Sequence, residues 1–125
     1  MLGVGVDLVN LQEMQETLQR SGDLFLTRVY CAEEIAQGQS CELPIHFFAG
    51  AFAIKEAVFK ALKLSWQSGV DFREIKVNRG EAGEPVVVLK GKVGEIAAKK
   101  KMACMDVSIS YEKSMAIGFV VAQFD

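Results

Sequence analysis

The chain has one histidine, two prolines, one tryptophan and three cysteines in 125 residues, and these scarcities narrow what it can be. The lone histidine, His46, precedes two phenylalanines and reads as a helix-start residue rather than a general base. Ser108 and Ser110 have no histidine in their segment, which excludes a serine hydrolase triad there. Cys31, Cys41 and Cys104 are odd in number and lack CxxC or zinc-finger spacing, so neither a disulfide framework nor a zinc site is expected. Free thiols in a reducing cytoplasm are the economical reading. Positive charge is also short: 14 Lys and Arg against 16 Asp and Glu give a net charge of −2, unlike the basic stripe of a nucleic-acid binder. The one dense cationic run, Lys99-Lys100-Lys101, reads as a solvated helix end. No apolar run reaches bilayer length, and Asp7 interrupts a first stretch that has no basic flank, so neither a membrane span nor a signal peptide is expected. Repeats, low-complexity tracts and linkers are missing too. What remains is 50% hydrophobic and 24% charged, the make-up of one ordinary globular domain over residues 1–125.

Residues 2–9, LGVGVDLV, alternate: Leu2, Val4, Val6 and Leu8 on one face, Gly3, Gly5, Asp7 and Val9 on the other. That is a strand, and two glycines on the face holding Asp7 point to close approach of another element or a ligand. Asn10 fits an N-cap with Glu13 in the capping-box position, opening a helix to about Gly22 with Leu11, Met14 and Leu18 inward. A short helix is predicted over Ala32–Gln37, a loop from Gly38 to Pro44 and a long helix from Ile45 to Leu64, with Gly69 in the loop after it. EIKVN (74–78) and PVVVLK (85–90) read as a hairpin across RGEAGE. NRGEAGEP has two glycines but no strand-to-helix transition, so it is a turn and not a phosphate loop. A helix over 94–102 precedes strands at 105–111 and 115–124, a second hairpin. The pattern predicts an α+β fold: a largely antiparallel sheet packed against a long central helix.

The central helix poses a physical problem. FAGAFAIKEAVFKALK, residues 48–63, is nearly all apolar yet carries Lys55, Glu56 and Lys60. Glu56 and Lys60 are i, i+4 neighbours, and the plain reading is a surface ion pair. Phe52, Ala53, Ala57, Val58, Phe59 and Leu62 leave little arc for solvent, however, which predicts burial. A buried carboxylate needs a cation, a metal or a proton. Asp7 raises the same question on its glycine-rich strand, where a solvated edge position or a capping role would be the ordinary explanations. Two carboxylates and a lysine could make a hard-cation site facing phosphate, since magnesium takes few carboxylates and completes its shell with water and phosphate oxygens.

GVGVDLV, FAGAFAIKEAVFKAL and VSISYEKSMAIGFVV, in this order, resemble the holo-acyl-carrier-protein synthase family of 4′-phosphopantetheinyl transferases, the short trimeric type. The family pattern is a first strand with G-x-G-x-D, a helix with F-A-x-K-E-A-x-x-K-A and a late S-I-S-H hairpin. The likeness spans essentially the whole chain, and the helix motif is highly specific. It implies a magnesium-dependent transferase of fatty acid biosynthesis in the cytoplasm. Such an enzyme moves phosphopantetheine from coenzyme A to a serine of an apo acyl carrier protein and releases adenosine 3′,5′-bisphosphate. It further implies Asp7 and Glu56 as magnesium ligands, with Asp7, directly or through a metal-bound water, the nearest acceptor for the serine proton. Lys60 would stabilise charge on the phosphates. Lys55 would assist phosphate binding or ion pairing, and Tyr111 would stand at the coenzyme A site. A homotrimer with interfacial active sites is implied as well.

Four positions depart from that pattern. Glu13 stands where the first helix usually carries arginine, Ala51 replaces the arginine before F-A-x-K-E-A, Lys63 replaces the glycine after K-A-L, and Tyr111 replaces the histidine of S-I-S-H. Asp7, Glu56 and Lys60 are intact. The losses fall on positions expected to touch coenzyme A or an acidic carrier, leaving Arg20 near the first helix's acidic residues and Arg28, after LFLT, as the best remaining basic contact. A diverged paralogue with weak or no transferase activity, serving as a coenzyme A-binding or structural module, is the alternative they favour. Trp66 could meet adenine or close the core, and the core is the preferred reading.

Overall fold

The computed structural model describes residues Met1–Asp125. In chain order the elements are β1 (Leu2–Asn10), α1 (Leu11–Val29), α2 (Ala32–Ser40), α3 (Pro44–Ala61), two single 3₁₀ turns (Trp66–Ser68 and Phe72–Glu74), β2 (Ile75–Arg79), β3 (Pro85–Leu89), α4 (Gly91–Lys99), β4 (Met102–Tyr111) and β5 (Met115–Phe124). The predicted α+β class holds, with every strand pairing antiparallel. The strands divide into a three-stranded sheet of order β1-β5-β4 and a separate β2-β3 hairpin.

α3 lies across one face of the larger sheet, and glycine is the reason it lies so close. A Cβ at Gly5 would come within 1.8 Å of the Ala57 carbonyl oxygen, and one at Gly3 within 2.2 Å of that of Ala61. Gly118 on the middle strand faces the Ala53 backbone in the same way, at 2.7 Å. Helix and sheet therefore meet backbone to backbone, and α3 in turn uses Ala49, Ala51, Ala53, Ala57 and Ala61 along its buried face. Ile54, Val58 and Leu62 join Val77, Val93 and Val120 in the core. Burial on this scale, at about 25 cal/mol per Å² of apolar surface, holds the long helix in place despite its small side chains.

β1 turns its glycines inward, so its larger apolar residues point out. Leu2, Val4, Val6 and Leu8 are 50–63% exposed, and their partners across β5 continue the patch through Ile117, Phe119 and Val121. On β4 the same face carries Cys104, Asp106, Ser108 and Ser110.

Several boundaries differ from the sequence expectation. α1 does not stop at Gly22; it kinks at Ser21 (φ −142°, ψ 40°) and continues, because Leu26 and Val29 beyond the kink are buried. α2 runs through Gly38, which lies against Phe47 and Phe48. α3 ends in a left-handed turn at Lys63 (φ 53°), whose N–H donates to the Lys60 carbonyl while that of Leu64 reaches Phe59. This is the helix-ending geometry that glycine adopts without strain. α4 starts three residues early and ends three early, at Lys99, with Lys101 in the left-handed region (φ 62°) before β4.

Candidate active site

β1 and α3 bring Asp7, Glu56 and Lys60 together at the edge of their glycine-mediated contact. The Lys60 ammonium donates to Asp7 Oδ1 at 3.1 Å and to the Val6 carbonyl at 2.9 Å. Glu56 sits one turn earlier on α3, on the same helix face. Its carboxyl is pushed up from the usual 4.5, first by burial and then by the neighbouring Asp7 carboxylate, with Lys60 pulling the other way. The plain i, i+4 reading would pair Glu56 with Lys60; the structure gives Lys60 to Asp7 instead. Nor is the group deep in the core, as the apolar surroundings implied. The Lys60 side chain is 54% exposed, and Asp7 and Glu56 are partly buried at the surface.

The arrangement has definite chemical capacity. Two carboxylates from separate elements sit near one another with a single cation among them, and the Asp7 charge adds to burial in raising the Glu56 carboxyl. No group of three or more acidic, histidine or cysteine side chains forms a complete protein cage. Such a donor set fits a hard divalent ion that completes its shell with water and phosphate oxygens. Lys60 uses two of its three N–H donors on Asp7 and Val6, leaving one for an incoming anion.

Lys55 does not belong to this group. Fully buried, it donates to Glu34 Oε1 at 2.9 Å, to the Phe72 carbonyl at 2.9 Å and to the Ile75 carbonyl at 2.6 Å. All three N–H donors are used, so of its two expected roles the structure shows ion pairing and corrects phosphate contact. Burial pushes the Lys55 ammonium down, and Glu34 opposes that shift. Glu34, which nothing in the sequence marked as buried, also accepts from the backbone N–H groups of Cys31 and Val77. Tyr30 closes the cluster by donating to the Phe48 carbonyl at 2.6 Å.

Tyr111 is likewise placed away from Asp7 and Glu56 within one chain. Its hydroxyl donates to the His46 carbonyl at 3.1 Å, in the first turn of α3, and receives Arg79 Nη2 at 3.4 Å. His46 precedes Glu56 by ten helical residues, about 15 Å along the axis. Trp66, expected in the core, is 58% exposed and packs on Phe59 and Phe72 at ring-centre distances of 4.6 and 5.0 Å.

A cavity of about 190 Å³ opens beside Asp7, with Met14, Phe25 and Phe52 as its apolar wall and Glu13 and Thr17 on its α1 side. Asn10 caps α1 by accepting from the Glu13 N–H at 2.9 Å. The reciprocal half of the predicted capping box is absent: the Glu13 carboxylate makes no bond back to the Asn10 N–H.

Residues 3–112 match the family model of the 4′-phosphopantetheinyl transferase superfamily. The holo-[acyl-carrier-protein] synthase of Hamiltonella defensa is 33% identical over 122 residues, 98% of this chain and 97% of that protein. The crystal structure of the Neisseria meningitidis holo-[acyl-carrier-protein] synthase superposes with a TM-score of 0.88 at 26% identity, covering 97% of each chain. The Helicobacter pylori synthase, solved in complex with coenzyme A, superposes with a TM-score of 0.82 at 26% identity, covering 96% of this chain and 99% of that one.

Proposed function

Because the chain belongs to the 4′-phosphopantetheinyl transferase superfamily, we propose that it moves the 4′-phosphopantetheine arm of coenzyme A onto a serine of an apo acyl carrier protein. The convergence of Asp7, Glu56 and Lys60 from two elements carries this reading. Transfer makes an ester bond between the serine oxygen and the phosphorus bearing the pantetheine arm. The bond from that phosphorus to the bridging oxygen breaks, and adenosine 3′,5′-bisphosphate leaves. Phosphoryl transfer of this kind is catalysed mainly by positioning and charge neutralisation.

Asp7 and Glu56 are the residues that would hold magnesium, which, when bound, offsets the charge of the pyrophosphate. The exposed ammonium of Lys60 contributes its free donor to a phosphate oxygen. Asp7 accepts the serine proton, directly or through a water, being the carboxylate that borders both Lys60 and the cavity. The Lys55–Glu34 pair holds α2 and the 3₁₀ turn before β2 against α3, so its part is structural support next to Glu56.

The chain assembles as a homotrimer through the outer face of the three-stranded sheet. Val4, Val6, Leu8 and Phe119, all 42–59% exposed there, form an apolar patch of the kind that monomers in water rarely leave uncovered. Copies of the same chain are its occupant. Tyr111, distant from Asp7 within one chain, would reach coenzyme A from a neighbouring copy. No helix is long and apolar enough to cross a membrane, and the three cysteines are free. Both are compatible with work in the cytoplasm, supplying carrier protein for fatty acid biosynthesis.

Intact mass of an apo acyl carrier protein, after incubation with this protein, coenzyme A and magnesium, tests the reading. A phosphopantetheine-sized gain that EDTA prevents supports it. Coenzyme A binding without a gain on any of several carriers supports the diverged paralogue instead. Sedimentation of the native chain beside Val6→Glu tests the assembly; a monomeric native chain refutes the trimer.

A further inference from the structure

A second cavity, of about 280 Å³, opens where β1 begins and α3 ends. Its floor is the contact of Gly3 with Ala61, and Leu62, Phe124 and Leu2 supply apolar walls. Gly3 lies four strand residues from Asp7, about 13 Å along β1, so this space is apart from the candidate active site. The remaining polar lining is cationic. Lys63 and Lys100 border the cavity, both exposed, and no carboxylate borders it with them. Lysine lays its apolar stem along such a wall and keeps its ammonium in water. Lys100 donates to the Leu62 carbonyl, which holds its ammonium at the mouth with two donors unspent. None of the ion pairs in the chain involves Lys63, Lys100, the adjoining Lys101 or the Asp125 that follows Phe124.

The backbone singles out the same place. Two non-glycine residues adopt left-handed φ, Lys63 at 53° and Lys101 at 62°. One borders the cavity and the other adjoins Lys100. Glycine would make either turn without strain, and strain of this kind gathers where a side chain has work to do.

We propose that this cavity binds a straight-chain carboxylate, with its alkyl chain on Phe124, Leu62 and Leu2 and its head group at the ammonium groups of Lys63 and Lys100. Ligand pockets are mostly apolar with a few placed polar groups, and a space this small suits one short chain rather than a two-chain lipid. The two lysines act as point charges on the head group, and no neighbouring carboxylate competes for them within the cavity. The inference stands independently of the transferase reading.

The test titrates the native full-length chain with sodium octanoate below its micelle concentration and follows backbone amide resonances by NMR. Octanol, with the chain but no charge, and acetate, with the charge but no chain, are titrated in parallel. Saturable shifts are expected at Leu2, Leu62, Lys63 and Lys100 with octanoate, weaker ones with octanol and none with acetate. Lys63→Gly keeps the turn and removes the ammonium, so octanoate should bind it about tenfold more weakly, the worth of one charge-assisted contact. Octanol should bind Lys63→Gly and the native chain alike. Lys100→Gln gives a second reading of the same loss from the other side of the mouth. Equal affinity for octanoate and octanol, or octanoate affinity unchanged in both variants, overturns the proposal. Shifts centred on Val4 and Phe119 instead, or no saturable shift at the cavity, overturn it as well.

Discussion

Lys55 and Lys60 lie five residues apart on one helix and differ in almost every physical respect. Lys55 is sealed in the core with three hydrogen bonds and a carboxylate that itself holds three donors. Lys60 stands half in water, with one carboxylate, one carbonyl and a donor to spare. Saturated donors make a lysine part of the architecture, whereas an unfilled one lets it meet a ligand. The motif spelling K-E-A-x-x-K does not separate these fates; the environment does.

Loss of the surface group should be the more damaging to function. Glu56→Ala is expected to abolish magnesium-dependent transfer with the fold intact, and full retained activity in the mass assay would refute the ligand role. Lys60→Met should lower kcat/KM by about 10²- to 10³-fold, the usual effect of removing one transition-state donor, with an unaltered circular dichroism spectrum. Lys55→Met should do the reverse. It strands Glu34 in the core at a cost of about 3–5 kcal/mol, read as a lower denaturation midpoint, while the folded fraction keeps its turnover. A Lys55→Met protein that is as stable as native but inactive would erase the contrast between the two lysines.

Acidity provides a smaller, graded effect. The Glu56 carboxyl titrates above the ordinary 4.5 because burial, and then Asp7, disfavour its charge. Raised in the folded state, it binds its proton more tightly there, so its protonated form favours the fold at low pH and that contribution is lost as pH rises through the folded value. Cation binding needs the ionised form and runs the opposite way: magnesium affinity should fall, as pH is lowered, at a higher pH than an ordinary glutamate would give. Titration of the carboxyl by NMR with and without magnesium reads both. The smallest expected change is Lys63→Gly, which removes left-handed strain at φ 53° but loosens the unfolded chain, for a net gain of at most about 1 kcal/mol in a melting experiment.

Much of this was legible in the sequence, for reasons that can be located. The alternation in β1 and the two glycines beside Asp7 gave the strand and predicted the close approach that Ala57 and Ala61 make. Asn10 marked the helix start correctly. Gly22 misled because a glycine ends a helix only when nothing beyond it needs burying, and Leu26 and Val29 do. The Asp7–Lys60 pair is a tertiary contact between residues 53 apart, which local spacing cannot rank against the i, i+4 alternative. Glu34 was invisible for the same reason: its partners Lys55 and Val77 lie 21 and 43 residues away.

The contact between Gly5 and the Ala57 carbonyl works as a ruler. With no side chains interposed there, the separation of the strand bearing Asp7 from the helix bearing Glu56 is set by main-chain atoms touching, and cannot be relaxed by repacking. Selectivity among divalent ions of different radius depends on how far the ligands can adjust. For a metal held by Asp7 and Glu56, as proposed, such adjustment would be confined to the two carboxylate side chains, so a larger ion would have to be met by exchanging aspartate for glutamate, or the reverse, rather than by moving the scaffold.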